Sequence, residues 1–359
     1  MLKAYKYRIY PNKDQCILFA KTFGCVRFVY NKMLDDRIKK HFDSTIAIYP
    51  TPAQYKQEFE FLKEVDSLAL ANAQLNLDKA FKNFFKNKKS GFPKFKSKKR
   101  TKKSYTTNNQ NGTIEIIDNK YLKLPKIKSL IKIKHHRKFT GKIKSCTISQ
   151  TSSGKYFASI LVDCVEDVKP KKLDKKIGID LGLTDFVVTS NGGKIPNPKH
   201  LKNSEDKLIK LQRSLSRKQI GSKNRDKARI KVARMHEKIT NQRKDFLHKL
   251  SSKIINENQV IVIEDLSIKN LVKNRRLSKA IGSVGWYAFR SMLEYKAAWQ
   301  DRDIIIASRR FASSQLCSNC GFKNVEVKNL KVRIWQCLEC NTTHDRDINA
   351  ATNLLKLAI

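Results

Sequence analysis

Three acidic residues stand in local contexts that a buried, reactive carboxylate needs: Asp180 in KIGIDLGLTDFVVTS, Glu264 in QVIVIEDL and Asp347 in HDRDINAATNLLKL. Around the first, Ile177, Ile179 and Leu181 alternate with Gly178, Asp180 and Gly182, so a strand would show the carboxylate on one face between two glycines. Those glycines are expected to leave room for metal ions and a phosphate backbone. Glu264 closes an apolar run of the kind buried inside a mixed sheet, where an acid is costly unless it binds something. Asp347 shares a helix face with Ala350, Ala351 and Leu354, whereas Asp345 reads as the N-cap of that helix. Singly, Asp180 could close a hairpin turn, Glu264 could be a paired strand-end residue and Asp347 could pair with a basic neighbour. Together, three carboxylates from distant segments can hold two divalent ions about 3.5 to 4 Å apart, one activating water and one stabilising the leaving oxygen of a phosphodiester. The chemistry expected of such a set is metal-dependent nuclease chemistry.

A second set is made of sulfur. Cys317-x2-Cys320 and Cys337-x2-Cys340, sixteen residues apart, have the spacing of a four-cysteine zinc ribbon. Four thiolates leave the ion no open position, so the expected role is structural, with one zinc per chain. A redox CxxC pair is the weaker alternative. Cys16, Cys25, Cys146 and Cys164 are scattered and read as small core residues.

What surrounds these residues is strongly basic. The 359 residues carry 75 Lys plus Arg against 32 Asp plus Glu, a formal charge of +43, whose self-repulsion calls for a polyanion. Nucleic acid is the expected partner. The excess runs through nearly the whole chain instead of forming one amphipathic helix beside an anchor, and no run of about 18 apolar residues occurs. No membrane role and a cytoplasmic, nucleoid-associated location are therefore expected, a setting that argues against disulfides.

The elements that must position the chemistry follow from periodicity. Residues 2–10 alternate as a strand, and residues 14–85 carry helix faces such as Phe19, Phe23, Val26 and Val29, then Leu70, Ala73, Leu77 and Ala80. Residues 80–105 interleave aromatics with lysines, a mixture suited to backbone binding and base stacking, or equally to core aromatics followed by a solvated loop. Residues 112–168 break into short strand-like runs that predict a small antiparallel barrel. A charged linker, 169–176, suggests a domain boundary. Residues 226–255 read either as one basic helix of roughly 45 Å or as an amphipathic hairpin. In the ribbon, Lys323, Lys328 and Lys331 are candidate nucleic-acid contacts.

GIDLGLTDF, ARMHEKITNQRKDFLHKLS, IEDLSIKNL, GWYAFRSMLEYKA, the CSNCG and CLEC knuckles and DRDINAA, together with KAYKYRIYPNKDQ and AFKNFFKNKKSGFPKFKSKKR, resemble the TnpB (OrfB) family over nearly the whole chain. Type V CRISPR effector nucleases share its split nuclease domain. The resemblance implies an α+β multidomain protein: an N-terminal β-barrel (1–12 and 110–170) with a helical insertion (13–109), and an RNase H-like, RuvC-like α/β nuclease domain (171–359) with an inserted zinc ribbon (313–344). It implies an RNA-guided, magnesium-dependent double-stranded DNA endonuclease encoded by a transposon. The guide RNA would come from the transposon end, a target-adjacent motif would be read, and the particle would be a monomeric ribonucleoprotein. Asp180, Glu264 and Asp347 match the catalytic acids and magnesium ligands, Cys317, Cys320, Cys337 and Cys340 the zinc ligands, and Arg333 an arginine that assists at the active site. Two positions depart from the family pattern. Ala312 stands where proline usually precedes the paired serines, and Asn341 where glycine usually follows the second knuckle, which puts local turn geometry in question. The alternatives are an RNase H-like transposase, which would join DNA instead of only cutting it, and a nuclease-dead guided repressor, which is expected to have lost an acid.

Overall fold

The computed structural model describes residues 1–42, 50–87, 89–164 and 171–358. The chain divides into two units, Met1–Asp167 and Val168–Ile359. The start of the expected linker, 169–170, lies outside the described residues.

In the first unit, β1 (Leu2–Tyr10) buries Tyr7 and Ile9 on one face, as its alternation requires. Three helices follow: α1 (Lys13–Phe42), α2 (Pro52–Glu58) and α3 (Ser67–Lys86). The last is capped by Asp66, whose carboxylate accepts from Leu68 N and Ala69 N. The remaining strands are β2 (Lys103–Asn108), β3 (Glu115–Ile117), β4 (Tyr121–Lys123), β5 (Ile131–Lys134), β6 (Lys142–Gln150) and β7 (Tyr156–Asp163). They form one antiparallel sheet in the order β2-β6-β7-β1-β5-β4-β3. Its apolar face shares a core with Phe19, Phe23, Val29, Leu70 and Leu77 of the helices.

Two expectations change here. Among the described residues no pairing joins the edge strands β2 and β3, so the sheet is open where a closed barrel was expected. Closure needs consistent tilt and stagger all the way round, and β3 and β4 are only three residues each. The sheet also takes in β2, ahead of residue 110. Tyr105 and Thr107 are buried there and pair with Ile148 and Cys146, an alternation hidden in a lysine-rich stretch. The neighbouring aromatics divide between both readings: Phe92 stacks edge-on against Phe81 and Phe84, while Phe85 is 76% exposed. Of the scattered cysteines, Cys25, Cys146 and Cys164 lie in the core and Cys16 is partly exposed.

The second unit contains β8 (Lys176–Asp180), β9 (Asp185–Thr189), β10 (Lys194–Pro196), α4 (Glu205–Ser216), α5 (Lys223–Glu257), β11 (Val260–Glu264), α6 (Ile268–Leu271), α7 (Ser278–Val284), α8 (Trp286–Gln300), β12 (Asp303–Ala307), β13 (Ile334–Gln336), β14 (Thr343–Asp345) and α9 (Arg346–Leu355). The main sheet has the order β10-β9-β8-β11-β12, with β8, β11 and β12 parallel and β9 antiparallel to its neighbours. Apolar β8 and β11 form its middle, as their sequences require. α5 is one continuous helix of 35 residues, roughly 50 Å long, which settles the choice between helix and hairpin. Its Leu247, Leu250 and Ile254 pack with Phe289 and Leu293 of α8. Among the described residues no helix is long and apolar enough to cross a membrane.

Where α8 meets α5, Lys296 is only 9% exposed and its ammonium donates to His248 O at 2.8 Å, Ser251 Oγ at 2.7 Å and Ser252 Oγ at 2.8 Å. Burial pushes its pKa down to about 8. In the unfolded chain the group titrates near 10.4, so between these values the unfolded state binds more protons and stability rises with pH. Relative to Lys296→Met, the wild-type protein is expected to gain on the order of 2 to 3 kcal/mol as pH climbs from 8 to above 10. Denaturant melts of both proteins across that range check this; parallel curves would contradict it.

Candidate active site

Strand register brings the first two acids together. β8 and β11 run parallel with Ile179 opposite Ile263, so Asp180 and Glu264 end adjacent strands side by side. Asp347 comes from the first turn of α9, which packs on β8. All three line one cavity of about 310 Å³, together with Asp185, Ser313, Arg333 and Arg346. Burial, and then the negative neighbours Glu264 and Asp347, push the Asp180 carboxyl well above the usual range, with a hydrogen bond to Glu264 adding to the shift. Asp265, next in sequence to Glu264, is different. Burial works against its ionisation, but Arg309 and Arg290, each 2.6 Å away, hold its carboxyl below the usual range.

Positive groups surround the acids. Arg333 Nη1 lies 3.3 Å from both carboxylate oxygens of Asp347. Arg346 is buried, and its charge opposes the upward shift of Asp180. Ser313 Oγ donates to Glu264 Oε1 at 2.7 Å. Asp345 caps α9 as expected, accepting from Asp347 N and Ile348 N, and also pairs with Lys194. The three oxygen-rich side chains suit a hard divalent cation, whose charge would relieve their mutual repulsion.

Of the glycines flanking Asp180, Gly182 lines the acid cavity and Gly178 serves another purpose than the one expected. A Cβ at Gly178 would lie 2.0 Å from Ala351 O and 2.6 Å from Leu355 N, so this glycine admits the backbone of α9 and not a metal or phosphate. A Cβ at Gly182 would meet Asp185 O at 2.5 Å, in the turn between β8 and β9. Gly178→Ala is therefore expected to cost about 3 kcal/mol or more, because only backbone can move to accommodate it. A denaturant melt with a midpoint like that of the wild type would show the close approach to be unimportant.

The four cysteines also converge. All four sulfurs lie within 4.8 Å of one another, with Cys317 to Cys340 at 3.6 Å and Cys320 to Cys337 at 3.5 Å. Thiolates about 2.3 Å from a tetrahedral zinc would stand about 3.8 Å apart, so this donor set fits the ion. The two knuckles repeat one geometry. Gly321 N donates to Cys317 O and Asn341 N to Cys337 O, both at 3.0 Å, while Cys317 N and Cys337 N donate forward to Phe322 O and Thr342 O. Gly321 has φ +82° and Asn341 φ +54°, so asparagine, which tolerates the left-handed region, replaces glycine without changing the turn. His344, cross-strand from Trp335, places Nε2 3.0 Å from Cys317 Sγ.

Comparison with known proteins identifies the family. A Streptomyces pristinaespiralis protein provisionally named an RNA-guided DNA endonuclease is 41% identical over 98% of this chain and 88% of its own length. The chain belongs to the TnpB family. Escherichia coli (strain K12) InsQ, named in the same provisional way, is 29% identical over 99% of the chain and 92% of its own length. Family models match as "Probable transposase" of the IS605 OrfB type over residues 159–275, "Cas12f1-like, TNB domain" over 286–354 and "Helix-turn-helix domain" over 1–42. In this TnpB-family chain the last of these regions is a strand followed by one continuous helix, α1. Among solved structures, a Cas12f1–sgRNA–target DNA complex aligns with TM-score 0.61 at 15% identity, covering 99% of this chain and 98% of that one. The mini RNA-guided endonuclease Cas_phi3 aligns at 0.53 and 10%, covering 100% and 92%. These likenesses establish a shared mixed α/β fold.

Sequence reasoning missed several residues of the acid cavity. Ser313 stands in the paired serines after Ala312, Arg346 between the two aspartates of DRD, and Asp185 in the motif of Asp180, so each was in view without a role. Only the fold shows that Ser313 reaches Glu264 and that Arg346 turns inward.

Proposed function

We propose that this TnpB-family chain is a transposon-encoded, RNA-guided DNA endonuclease whose cutting centre is the cavity bounded by Asp180, Glu264 and Asp347. The observation that carries the reading is the convergence of three acids from β8, β11 and α9 on one cavity beside two arginines. The sheet order β10-β9-β8-β11-β12, with one antiparallel strand and acids at the ends of two parallel ones, supports an RNase H-like, RuvC-like domain over 171–359 with the ribbon 313–344 inserted. The three carboxylates would hold two magnesium ions, and the four cysteines one zinc. Bound magnesium supplies an activated water and neutralises charge on the leaving oxygen of the phosphodiester. Arg333, its side chain 58% exposed at the cavity, is placed to meet the charge of the scissile phosphate. Arg346 offsets part of the negative charge from inside.

The first unit, with its open sheet and helical layer, would grip a transposon-end guide RNA and duplex target, drawing on its share of the chain's +43 charge for backbone affinity. Base pairing then supplies sequence specificity and the protein reads a short target-adjacent motif, acting as a monomeric ribonucleoprotein in the cytoplasm. Reconstituted with guide RNA, the protein is expected to cut matched duplex only when magnesium is added. Cutting at an undiminished rate without divalent ions would sink the metal assignment, and joined products would indicate strand transfer.

A further inference from the structure

Helix α9 is tied to the segments of all three acids by different means. It carries Asp347, its backbone at Ala351 packs against Gly178 two residues before Asp180, and two of its buried amides hold the segment whose Ser313 hydroxyl donates to Glu264. Asn353, 4% exposed, donates from Nδ2 to Ser313 O at 2.8 Å and Leu316 O at 2.6 Å. Asn349, one turn earlier and 2% exposed, donates to Leu316 O at 2.7 Å and accepts from Ser318 N at 2.8 Å. The segment so fastened begins with Ser313, whose hydroxyl holds Glu264, and ends beside Cys317 of the first knuckle. At the other end of the ribbon, Arg346 N donates to Arg333 O at 2.8 Å, extending the β13–β14 hairpin onto α9 and fixing the backbone of the arginine that faces Asp347.

We infer that Asn349 and Asn353 latch the first knuckle to α9 and thereby set the spacing between Glu264 and Asp347. This role, which rests on the nuclease reading of the acids, makes them positioning residues. Neither amide lines the cavity. Buried amides that hold backbone groups act as rigid spacers, because any slip of the knuckle leaves unpaired polar groups in the core. The ribbon then does more than hold itself together: Ser313 and Ser314, ahead of its first knuckle, form part of the wall of the acid cavity.

Asn353→Asp keeps the side-chain shape and removes both donated hydrogen bonds, and Asn353→Ala removes the amide altogether. For each ribonucleoprotein, zinc content, binding of matched DNA, single-turnover cutting rate and the magnesium concentration for half-maximal rate would be measured. The latch predicts about one zinc per chain, binding within about two-fold of wild type, a rate lowered by on the order of thirtyfold, and a magnesium midpoint raised several-fold. Asn324→Ala is the control. Its buried amide accepts from Glu326 N inside the ribbon, so its magnesium midpoint should stay at the wild-type value. Asn353 variants with a wild-type rate and midpoint, or a rate lost only in proportion to lost zinc, would overturn the inference. A wild-type complex that cuts nothing would refute the nuclease reading instead, and the latch would still be read from amide exchange at Ser318, which Asn349→Ala should speed at least tenfold.

Discussion

Asp180→Ala is expected to lower guided DNA cutting by on the order of a thousandfold or more, while assembly with RNA and binding of DNA stay within about two-fold. The size follows from what the carboxylate does. On the proposed two-metal reading, losing one carboxylate ligand removes several kcal/mol of transition-state stabilisation, and about 1.4 kcal/mol is a factor of ten. Glu264→Gln should behave alike, since Asp180 and Glu264 end neighbouring strands. The same geometry makes an opposite prediction for stability. Burial, and then Glu264 and Asp347, push the Asp180 carboxyl upward, so its ionised form is disfavoured in the metal-free fold. Asp180→Asn should therefore hold or raise the melting temperature in magnesium-free buffer while cutting is lost. Single-turnover cleavage, gel shifts and thermal melts of one preparation separate these effects. Unchanged cutting would remove Asp180 from the mechanism, and a variant that melts far below the wild type would make it a structural residue.

Removing the zinc ligands should have the second largest effect. The ribbon's own core is Cys317, Val327, Trp335 and Cys337 with a few half-buried neighbours, and β13 and β14 have three residues each. A hairpin that small does not stand alone. Structural zinc contributes roughly 10 to 16 kcal/mol to such modules, far more than this core could replace. The double variant Cys337→Ser/Cys340→Ser is expected to lose its metal, expose residues 313–344 to protease and cut DNA on the order of a hundredfold more slowly, since Ser313 and Arg333 flank the acids. Metal analysis and limited proteolysis check this. A wild-type protein without zinc, or a double variant with intact resistance to protease, would contradict it.

The three acids and four cysteines that the fold brings together were legible because each sat in an element with a strong local signature. The alternation around Ile177 and Ile179, the apolar run ending at Glu264 and the Asp345 cap before Asp347 each fix an element from neighbouring residues alone, and the cysteine spacing fixes the knuckles. The helical text of α1 and α3 was readable for the same reason, whereas α5 stayed open between one helix and a hairpin until the fold was seen. What was not legible depended on pairing between distant segments. The purpose of Gly178 is set by Ala351, the role of Ser313 by Glu264, and the placement of β2 by β6. The open sheet of the first unit likewise depends on how few pairs β3 and β4 make, which periodicity does not reveal.

The central claim is that the acid cavity serves cutting directed by RNA. Its most direct test is to express the protein from its native locus, sequence the RNA that copurifies, and offer the complex two duplexes in magnesium, one matching that RNA beside its native flanking motif and one with the matching stretch scrambled. A single discrete RNA with cutting confined to the matched duplex is the predicted result. Heterogeneous RNA, or equal cutting of both duplexes, would contradict guidance and leave a metal-dependent nuclease fold without a programme.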